Sequence, residues 1–460
     1  MLGPMPGTLP ARSPWLEQLR AASPPCPLDG DVATDVVVVG GGIAGASTAF
    51  FLLRETDQRV LLVERGRVGH GATGHNAGQL ATYFERPLTD MVRQYGFEQT
   101  IDAQRLMESA WGLIETMADE CGTDQRIDRF TGNMGMFNLD HVLVHLRQSA
   151  LRREGGLAQP QFLVSQSAPF LGDIPTDLHG LYEVVPDRRI RAVLGPGTER
   201  YCAVLCSPIG AANGALLVER VIEHLQAAHR ERFRFVDHTN VHYIGLHADR
   251  AEVHAEHHTV LARRVVLCTN GFTDHVVENL AGVPLDQGRR VNVIGDVGYM
   301  VGLVEPEAGT PHAYSFVRNE HIGDDVLPYV YVTRRPWNTE HGTGMLVVVG
   351  GPEQQLASTD DYDPGDAFPV ERIAEFDRDI MPLAYPSHRP DDGYAFQWHG
   401  LMGYTDTRLR LIGPEPRNPV LLYNLGCNGV GFMPSIVGGH RIARLVAGDS
   451  FPQSVFDPPA

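Results

Sequence analysis

A strand, a glycine-rich turn, a helix and a second strand that ends in an acid follow one another near the N-terminus. The run from Val36 to Val39 is short, apolar and β-branched, which is typical of a buried parallel strand. The letters GGGIAG follow at positions 40–45, and a second apolar strand ends at Glu64, about 20 residues after the turn. This order constrains the fold more than any other feature, because it predicts an α/β domain whose first turn holds a pyrophosphate.

Each glycine of the G-x-G-x-x-G spacing has its own part in that prediction. Gly40 turns the chain, Gly42 lets the backbone approach a pyrophosphate, and Gly45 lets the helix pack closely on the strand. Backbone N–H groups at the positive end of the helix attract phosphate without any side chain. The acid at the end of the second strand accepts hydrogen bonds from ribose hydroxyls. We therefore expect a dinucleotide on Gly40, Gly42, Ile43, Ala44, Gly45 and Glu64.

The composition excludes several classes of function. The net charge of −18 argues against nucleic acid or an anionic membrane surface as a partner. The sequence contains no apolar run of about 20 residues, so no transmembrane helix is predicted. It does not begin with a basic segment followed by an apolar core, so no signal peptide is predicted. The six scattered cysteines indicate reduced thiols and hence a cytoplasmic protein. All 38 Lys+Arg residues are arginine, which excludes P-loop NTPases and enzymes that need a Schiff-base lysine.

The pattern along the chain predicts two domains that alternate in sequence. A Pro-, Ala- and Gly-rich arm with a short helix at 15–22 is expected to lie on the surface. Further helices are predicted at 88–121, 141–154, 216–228 and 436–447. The predicted organisation is an arm (1–33), a discontinuous dinucleotide domain (34–86, 205–275 and 405–450), an inserted β-rich α+β substrate domain (87–204 and 276–404) and a tail (451–460).

These pieces, in this order, resemble the D-amino-acid-oxidase-like superfamily of FAD-dependent oxidoreductases. The segments PLDGDVATDVVVVGGG, VGHGATGHNAGQ and NLGCNGVGFMPSIVGGHRIARL are similar to segments of the γ-glutamylputrescine oxidoreductase group. The resemblance implies a Rossmann-like FAD-binding domain of the glutathione-reductase type, with the β-rich substrate domain inserted into it. The motifs are specific for the cofactor and not for the substrate, since one fold carries many chemistries.

The resemblance extends the cofactor site to four further segments. The loop after the ribose acid contributes one wall, a later strand reaches the adenine, and the turn at 269–271 closes near the phosphates. The turn at 426–433 brings backbone amides to the flavin ring, and the helix that starts near Ser435 directs its positive end at the flavin. The residues so implied are Arg65, Gly71, Ala72, Thr73, His75, Asn76, Ala77, Gly78, Gln79, Val241, Thr269, Gly271, Gly426, Asn428, Gly429, Val430, Gly431, Phe432 and Met433.

His75 stands where related dehydrogenases attach FAD covalently. In dimethylglycine and sarcosine dehydrogenases, a histidine of a similar loop forms an 8α bond to FAD, but the tryptophan that precedes it is replaced here by Gly74. The alternative is that His75 bonds a phosphate or lines the loop. The cysteine linkage of monomeric sarcosine oxidase has no counterpart, because Met402 stands near that position, and Cys427 is expected to be a packed thiol.

The expected substrate residues lie on two later strands. Arg334, in PYVYVTRRPW, matches the glycine-oxidase arginine that binds the substrate carboxylate, and Tyr331 alternates with Tyr329 on one strand face. His399, in FQWHGLMGYT, could bind substrate or influence the protonation of an amine. The alternatives are a surface ion pair for Arg334 and a packed histidine for His399. No metal site is expected, because the histidines at 254, 257 and 258 lack a carboxylate or thiol constellation.

Together these features predict FAD-dependent oxidation of a C–N bond in a small amine or amino acid. A hydride would pass to flavin N5, the imine would hydrolyse, and O2 or another acceptor would take the electrons. Sarcosine oxidase uses a lysine to activate oxygen, and this chain has none, so a dehydrogenase stays open. Two other classes stay open as well, namely an α-hydroxy-acid or polyol dehydrogenase and a flavin-carrying subunit of a larger complex. The substrate and the oligomeric state are left undetermined.

Overall fold

The computed structural model describes residues 8–20, 24–122, 127–195, 197–285, 293–318, 329–339 and 342–459. The helices are α1 (Pro14–Glu17), α2 (Ile43–Glu55), α3 (Leu88–Tyr95), α4 (Phe97–Glu108), α5 (Ala110–Glu120), α6 (Leu139–Glu154), α7 (Asp187–Leu194), α8 (Gly214–Ala228), α9 (Val370–Glu375), α10 (Met381–Ala384) and α11 (Phe432–Ala447). The strands are β1 (Thr8–Leu9), β2 (Val32–Val39), β3 (Val60–Val63), β4 (Gln79–Leu80), β5 (Asp128–Met136), β6 (Gln161–Ser165), β7 (Glu183–Val185), β8 (Ala203–Ala211), β9 (Phe233–Val236), β10 (Val241–Leu246), β11 (Ala251–Ala255), β12 (His258–Leu267), β13 (Val276–Asn279), β14 (Val293–Glu305), β15 (His312–Val317), β16 (Tyr329–Thr339), β17 (Gly342–Gln355), β18 (Phe368–Pro369), β19 (Phe396–Thr405), β20 (Leu411–Pro414) and β21 (Leu421–Leu425).

The first sheet contains the predicted strand–turn–helix unit. β2 pairs in parallel with β3 on one side and β12 on the other, and β9 and β21 continue the parallel sheet outward. The valines at 36–39 are buried, as a central parallel strand covered on both faces requires. α2 begins at Ile43, directly after the glycine turn, and α11 from the C-terminal end packs against it. The Rossmann-like fold class predicted from the sequence is confirmed.

The second sheet is largely antiparallel and has the strand order β19-β14-β17-β16-β15-β5-β8-β6-β7. One face of β14, β16, β17 and β19 lines a cavity that it shares with the first sheet. The other face packs on a helical segment that buries Phe376, Ile380 and Met381. Because successive side chains of a strand point to opposite faces, this sheet separates cavity residues from core residues by position alone.

Three element predictions are corrected by the structure. The single helix expected at 88–121 is three helices, α3 to α5, and the break between the first two lies at Gly96, whose φ is 86°. The last helix begins at Phe432, before the expected start at 436. The arm expected on the surface buries Trp15 completely, and its helix ends at Glu17.

Strand pairing also bears on the predicted domain bounds. β8 pairs with β5 and β6 in the second sheet, although the sequence assigns positions 205–211 to the first domain. β13 pairs with β10 in the first sheet, although its positions are assigned to the second domain. The division into two discontinuous domains stays a prediction. None of the helices in the described ranges has the length and apolar character that a membrane crossing needs.

Candidate active site

A cavity of about 890 Å³ extends from the glycine turn of the first sheet to the second sheet. Gly40, Glu64 and Val241 line it at one end, and Tyr331 and Glu353 line it at the other. Cavities of this size hold small molecules and cofactors. One continuous space therefore joins the predicted nucleotide site to residues of the second sheet.

The glycine turn has the geometry that its spacing predicts. Gly40 has a φ of 110°, and a β-carbon added there would stand 2.7 Å from the carbonyl oxygen of Cys268. A β-carbon on Gly45 would stand 1.8 Å from the carbonyl oxygen of Gly40. Both positions therefore require glycine. The N–H of Ile43 donates to Thr73 Oγ1 at 2.9 Å, which fixes the following loop over the start of α2.

Glu64 ends β3 beside the turn and lines the cavity. Its carboxylate accepts hydrogen bonds from the N–H groups of Gly41 (2.6 Å) and Gly66 (2.8 Å). Burial raises the pKa of this carboxyl, and the two backbone donors oppose that rise. A carboxylate has about four lone-pair sites, so Glu64 can still accept from a ribose hydroxyl. Arg65 forms a salt bridge of 3.1 Å with Asp274 at the cavity edge.

His75 lies in the loop that forms one wall of the cavity. Its side chain is buried, and its Nδ1 lies 3.0 Å from the carbonyl oxygen of Gly71. Since a carbonyl oxygen only accepts hydrogen bonds, Nδ1 carries the proton and Nε2 keeps its lone pair. Burial lowers the pKa of His75 to about 4, so the ring is neutral at neutral pH. A neutral imidazole with a lone pair meets one requirement of a covalent flavin bond, and the bond itself stays a prediction.

The N-terminal segment at 13–16 holds this loop from behind. Ser13 Oγ donates to the carbonyl oxygen of Gly74 at 2.5 Å, and Trp15 Nε1 donates to that of Asn76 at 2.6 Å. A β-carbon on Gly74 would stand 2.6 Å from a side-chain carbon of Leu16. Leu16 therefore fills the space into which a side chain at position 74 would extend. The sequence analysis missed this contact, because nothing local links residue 15 to residue 76.

The C-terminal turn closes the cavity in front of α11. Gly426 and Gly429 have φ values of 83° and 80°, and Asn428 also has a positive φ, of 48°. Asn428 Oδ1 accepts a hydrogen bond of 2.9 Å from the N–H of Thr405, which fixes the turn to β19. α11 begins at Phe432 beside the cavity. Its positive end can stabilise a negative charge there, as predicted for the flavin ring.

Most of the predicted cofactor residues form the wall of this cavity. Those on the wall are Gly40, Gly42, Ile43, Ala44, Glu64, Arg65, Gly71, Ala72, Thr73, His75, Asn76, Ala77, Gln79, Val241, Thr269, Gly429, Val430, Gly431 and Phe432. Those not on the wall are Gly45, Gly78, Gly271, Gly426, Asn428 and Met433. Their direct contact with a cofactor stays a prediction, and what the structure shows for Gly45 is close packing of α2 on the turn.

The other end of the cavity is one face of the second sheet. Tyr329 and Tyr331 alternate along β16, and both line the cavity. Tyr331 pairs with Gly350 of β17, and a β-carbon on that glycine would stand 2.2 Å from the tyrosine oxygen. The missing side chain thus makes room for the tyrosine ring. This placement fits the predicted position of Tyr331 on the substrate side.

The structure does not bring Arg334 into the cavity. An odd number of positions separates it from Tyr331, so strand alternation turns its side chain to the opposite face of the sheet. There its Nε donates to Glu305 Oε2 at 2.6 Å, and it is not part of the cavity wall. The predicted carboxylate-binding role is therefore corrected to a partly buried ion pair.

His399 also lies on the face of the second sheet that points away from the cavity. Its Nδ1 is 3.1 Å from the hydroxyl of Tyr362, and its Nε2 is 2.9 Å from the carbonyl oxygen of Asp366. Burial lowers its pKa, which favours the neutral ring. The predicted catalytic role is corrected to that of a packed histidine with both nitrogens in contact with protein.

A β-bulge brings into the cavity a carboxylate that the sequence analysis missed. Met300 of β14 pairs with Gly350 of β17, whereas Gly298 pairs with Glu353, so β17 has one extra residue between the two pairs. Gly351 lies in this bulge with a φ of 157°. The extra residue returns Glu353 to the face that carries Tyr331. Alternation counted from the sequence would have placed Glu353 on the other face.

The environment of Glu353 favours its neutral form. Its side chain is exposed to the cavity, and protein surrounds that cavity. Burial raises the pKa of Glu353 to about 7, and the charges of Glu85 and Asp296 act in the same direction. Glu85 accepts a hydrogen bond of 2.7 Å from the hydroxyl of Tyr329. Burial raises the pKa of Glu85 as well, although this hydrogen bond opposes it.

Comparison with known proteins identifies the family. Residues 35–445 match the family model described as FAD dependent oxidoreductase, which is named DAO. The chain belongs to the DAO family. Its enzymes are flavin oxidoreductases, so the resemblance noted in the sequence and the prediction of FAD are confirmed.

Among curated relatives, a segment of this chain is 38% identical over 71 residues to γ-glutamylputrescine oxidoreductase of Escherichia coli (strain K12). That segment covers 15% of this chain and 16% of the relative. Another is 31% identical over 97 residues to the probable oxidoreductase OrdL of Haemophilus influenzae, covering 21% of this chain and 20% of that one. The matches thus span only a small part of these relatives.

Solved structures share the fold over nearly the whole chain. A variant of NikD, an amino acid oxidase of nikkomycin biosynthesis, has a TM-score of 0.67 at 17% identity, covering 93% of this chain and 97% of its own. Glycine oxidase from Geobacillus kaustophilus has a TM-score of 0.63 at 17% identity, covering 93% of this chain and 98% of its own. At these identities the likeness shows the fold alone.

The residues on the cavity wall fit the FAD of the DAO family. The glycine turn admits a pyrophosphate, Glu64 can accept from ribose, and α11 presents its positive end. Thr269 Oγ1 lies on the wall, is buried, and has no hydrogen-bond partner among the described residues. A buried hydroxyl normally has such a partner, and a polar group of FAD would supply it.

Proposed function

We propose that this DAO-family chain oxidises the C–N bond of a small amine and uses FAD as its electron acceptor. The observation that supports this most directly is the β-bulge that places the carboxylate of Glu353 on the cavity wall. Burial and neighbouring carboxylates raise the pKa of Glu353 to about 7. An ammonium ion must lose a proton before hydride can leave the neighbouring carbon, so the reaction needs a base that works near neutral pH. When bound, FAD supplies the two-electron acceptor that takes this hydride, and water then hydrolyses the imine.

Three residues would have separate roles in binding and deprotonating the substrate at this end of the cavity. Glu353 accepts the proton of the substrate ammonium, since near pH 7 it exists in both protonation states. Glu85, fixed by the hydroxyl of Tyr329, lies close to the turn before α11, because a β-carbon on Gly429 would stand 2.7 Å from Glu85 Cγ. A positive nitrogen held by Glu85 would therefore lie near the flavin.

An amine fits this wall better than an alcohol. An α-hydroxy acid offers no positive charge to the carboxylates Glu85 and Glu353, and its own carboxylate would be repelled by them.

Anaerobic mixing of the purified flavoprotein with a panel of amines, amino acids and α-hydroxy acids tests this proposal. We expect amines to bleach the visible flavin absorbance and hydroxy acids to leave it unchanged. Ammonia release under turnover should match the flavin electrons collected by a dye acceptor. Bleaching by hydroxy acids alone would replace the proposal with the hydroxy-acid dehydrogenase alternative. Oxygen uptake measured beside dye reduction would show whether O2 or another acceptor is used.

Attachment of FAD through His75 is a second part of the proposal. The position of its ring on the wall and the lone pair on Nε2 support a bond to the 8α carbon of the flavin. A C–H bond of that carbon would break with loss of a proton, its electron pair would reduce the flavin, and O2 or another acceptor would reoxidise it. If the bond forms, the yellow colour stays with the polypeptide after acid denaturation, and His75→Ala releases it. If wild-type protein releases all of its FAD, His75 acts instead as a neutral hydrogen-bonding residue of the loop.

A further inference from the structure

The substrate end of the cavity is acidic and aromatic. Its carboxylates belong to three chain segments, and tyrosine rings stand between them. The charges of Glu85 and Glu353 both raise the pKa of Tyr331 and of Tyr404, after burial, so the four side chains are neighbours. The wall residues that form this group are Tyr83, Glu85, Asp296, Tyr329, Tyr331, Glu353 and Tyr404.

Among the described residues, Glu85 and Glu353 lack positive partners, whereas the charge of Arg408 acts on Asp296 and opposes the rise in pKa that burial causes there. The groups that influence the pKa of Glu85 and Glu353 include no arginine. Asp296 Oδ1 is buried and has no hydrogen-bond partner among the described residues. Burial and like charge both disfavour the ionised forms, and a cation placed among them would relieve this cost.

An organic cation fits this group better than a metal ion. Within the described ranges, no three His, Cys, Asp or Glu side chains come close enough together to hold a metal. The carboxylates are instead spread over the wall, with tyrosine rings between them. An ammonium ion is bound well by such a mixture, because aromatic faces attract it while carboxylates accept its hydrogens.

Among the described residues, the arginines on the cavity wall do not act on Glu85 or Glu353; they are Arg65, Arg318, Arg408 and Arg410. Arg65 pairs with Asp274, Arg410 donates to Asn424, and the charge of Arg408 acts on Asp296. The charge of Arg318 acts on Tyr201 and Asp379, not on Glu85 or Glu353. The nitrogen and the carboxylate of an α-amino acid share one carbon, so binding the nitrogen here would bring the carboxylate among like charges.

We infer that the substrate is a cationic alkylamine with no carboxylate on the reacting carbon, bound through its nitrogen by Glu85, Glu353 and the tyrosine rings around them. This inference rests on the proposed function and narrows it. It excludes α-amino acids as substrates of this chain and retains the proposed oxidation of a C–N bond.

Matched pairs of compounds that differ only in the α-carboxylate test the inference. The pairs are n-butylamine with norvaline, and isoamylamine with leucine, mixed anaerobically with the holoenzyme. In each pair we expect the amine to reduce the flavin with at least tenfold greater efficiency than the amino acid. Its dissociation constant, measured from the change in the oxidised flavin spectrum, should be at least tenfold lower. Equal or greater efficiency of the amino acids overturns the inference and leaves C–N oxidation standing. Reduction by neither member of either pair, with hydroxy acids active, overturns the proposed function as well.

Substitution of the carboxylates tests which residues bind the nitrogen. Glu85→Gln and Glu353→Gln keep the size of the side chain and remove its charge. Each should raise the dissociation constant for putrescine, measured from the flavin spectrum, by at least tenfold, while the ratio of flavin to protein stays unchanged and the Tm does not fall. Glu305→Gln, which alters a carboxylate outside the cavity, should leave that constant unchanged. Unchanged putrescine binding in both cavity variants would show that the nitrogen binds elsewhere.

Discussion

At the scale of single residues, Glu353 should determine how activity depends on pH. Burial and neighbouring carboxylates raise its pKa to about 7, so the side chain is neutral below that pH and ionised above it. Only the ionised form attracts an ammonium ion and accepts its proton. We therefore expect kcat/KM to fall as the pH decreases through 7, by about tenfold per pH unit once the group is protonated.

Two variants separate Glu353 from other titrating groups. Glu353→Gln should lower kcat/KM at pH 8 and remove the decrease of activity at low pH, whereas Glu305→Gln should keep both the rate and that decrease.

Thermal stability gives a second readout, because it is linked to the protonation of Glu353. Because the pKa is raised from 4.5 in the folded protein, the folded state holds a proton that the unfolded state has lost, and stability falls as the pH rises through this range. Glu353→Gln should therefore have the higher Tm above pH 7. An unchanged decrease of activity at low pH in this variant would contradict the assignment.

At the scale of elements, the features that could be predicted from sequence are those that neighbouring residues determine. The strand, turn and helix at 36–53 follow from neighbouring residues, and the structure confirms them. Arg334 could have been rejected from alternation alone, since Tyr331 fixes the face of β16. Glu353 could not have been found that way, because the bulge at Gly351 resets the alternation and its place depends on the pairing with β14.

The segment at 13–16 illustrates a contact that local sequence does not encode. Trp15 is fully buried, and its indole N–H bonds the loop that carries His75. Trp15→Ala should cost about 3–5 kcal/mol of stability by leaving a cavity. Trp15→Phe keeps most of the packing and loses one hydrogen bond of about 1 kcal/mol, and it should release FAD more readily on gel filtration. Trp111→Phe, in a buried position of α5 away from the loop, should retain FAD like wild type.

Two glycines in helices should respond to alanine in opposite ways, because one packs tightly between α2 and α11 and the other has open space around it. A β-carbon on Gly439 would stand 2.7 Å from backbone atoms of Ser47 and Thr48, so Gly439→Ala must move one helix away from the other. We expect a loss of about 1–3 kcal/mol. Gly112 of α5 has open space around it, and Gly112→Ala should stabilise by about 0.5–1 kcal/mol through helix propensity. Thermal unfolding of both variants measures the contrast, and a stable Gly439→Ala protein would contradict the tight packing.

At the scale of the whole molecule, the cavity that we propose for FAD is lined by two sheets that are built from alternating parts of the chain. The wall of the cavity includes the glycine turn of the first sheet and the tyrosine face of the second. FAD that binds only the folded form stabilises it by about 2.7 kcal/mol at 100 times its Kd. Apoprotein should therefore unfold at a lower temperature than the same protein with FAD. Riboflavin at equal concentration should give a smaller shift, because it lacks the pyrophosphate and ribose that the turn and Glu64 would bind. Equal shifts with FAD and riboflavin would show that the turn at 40–45 contributes no binding energy, and the nucleotide would then have to bind elsewhere.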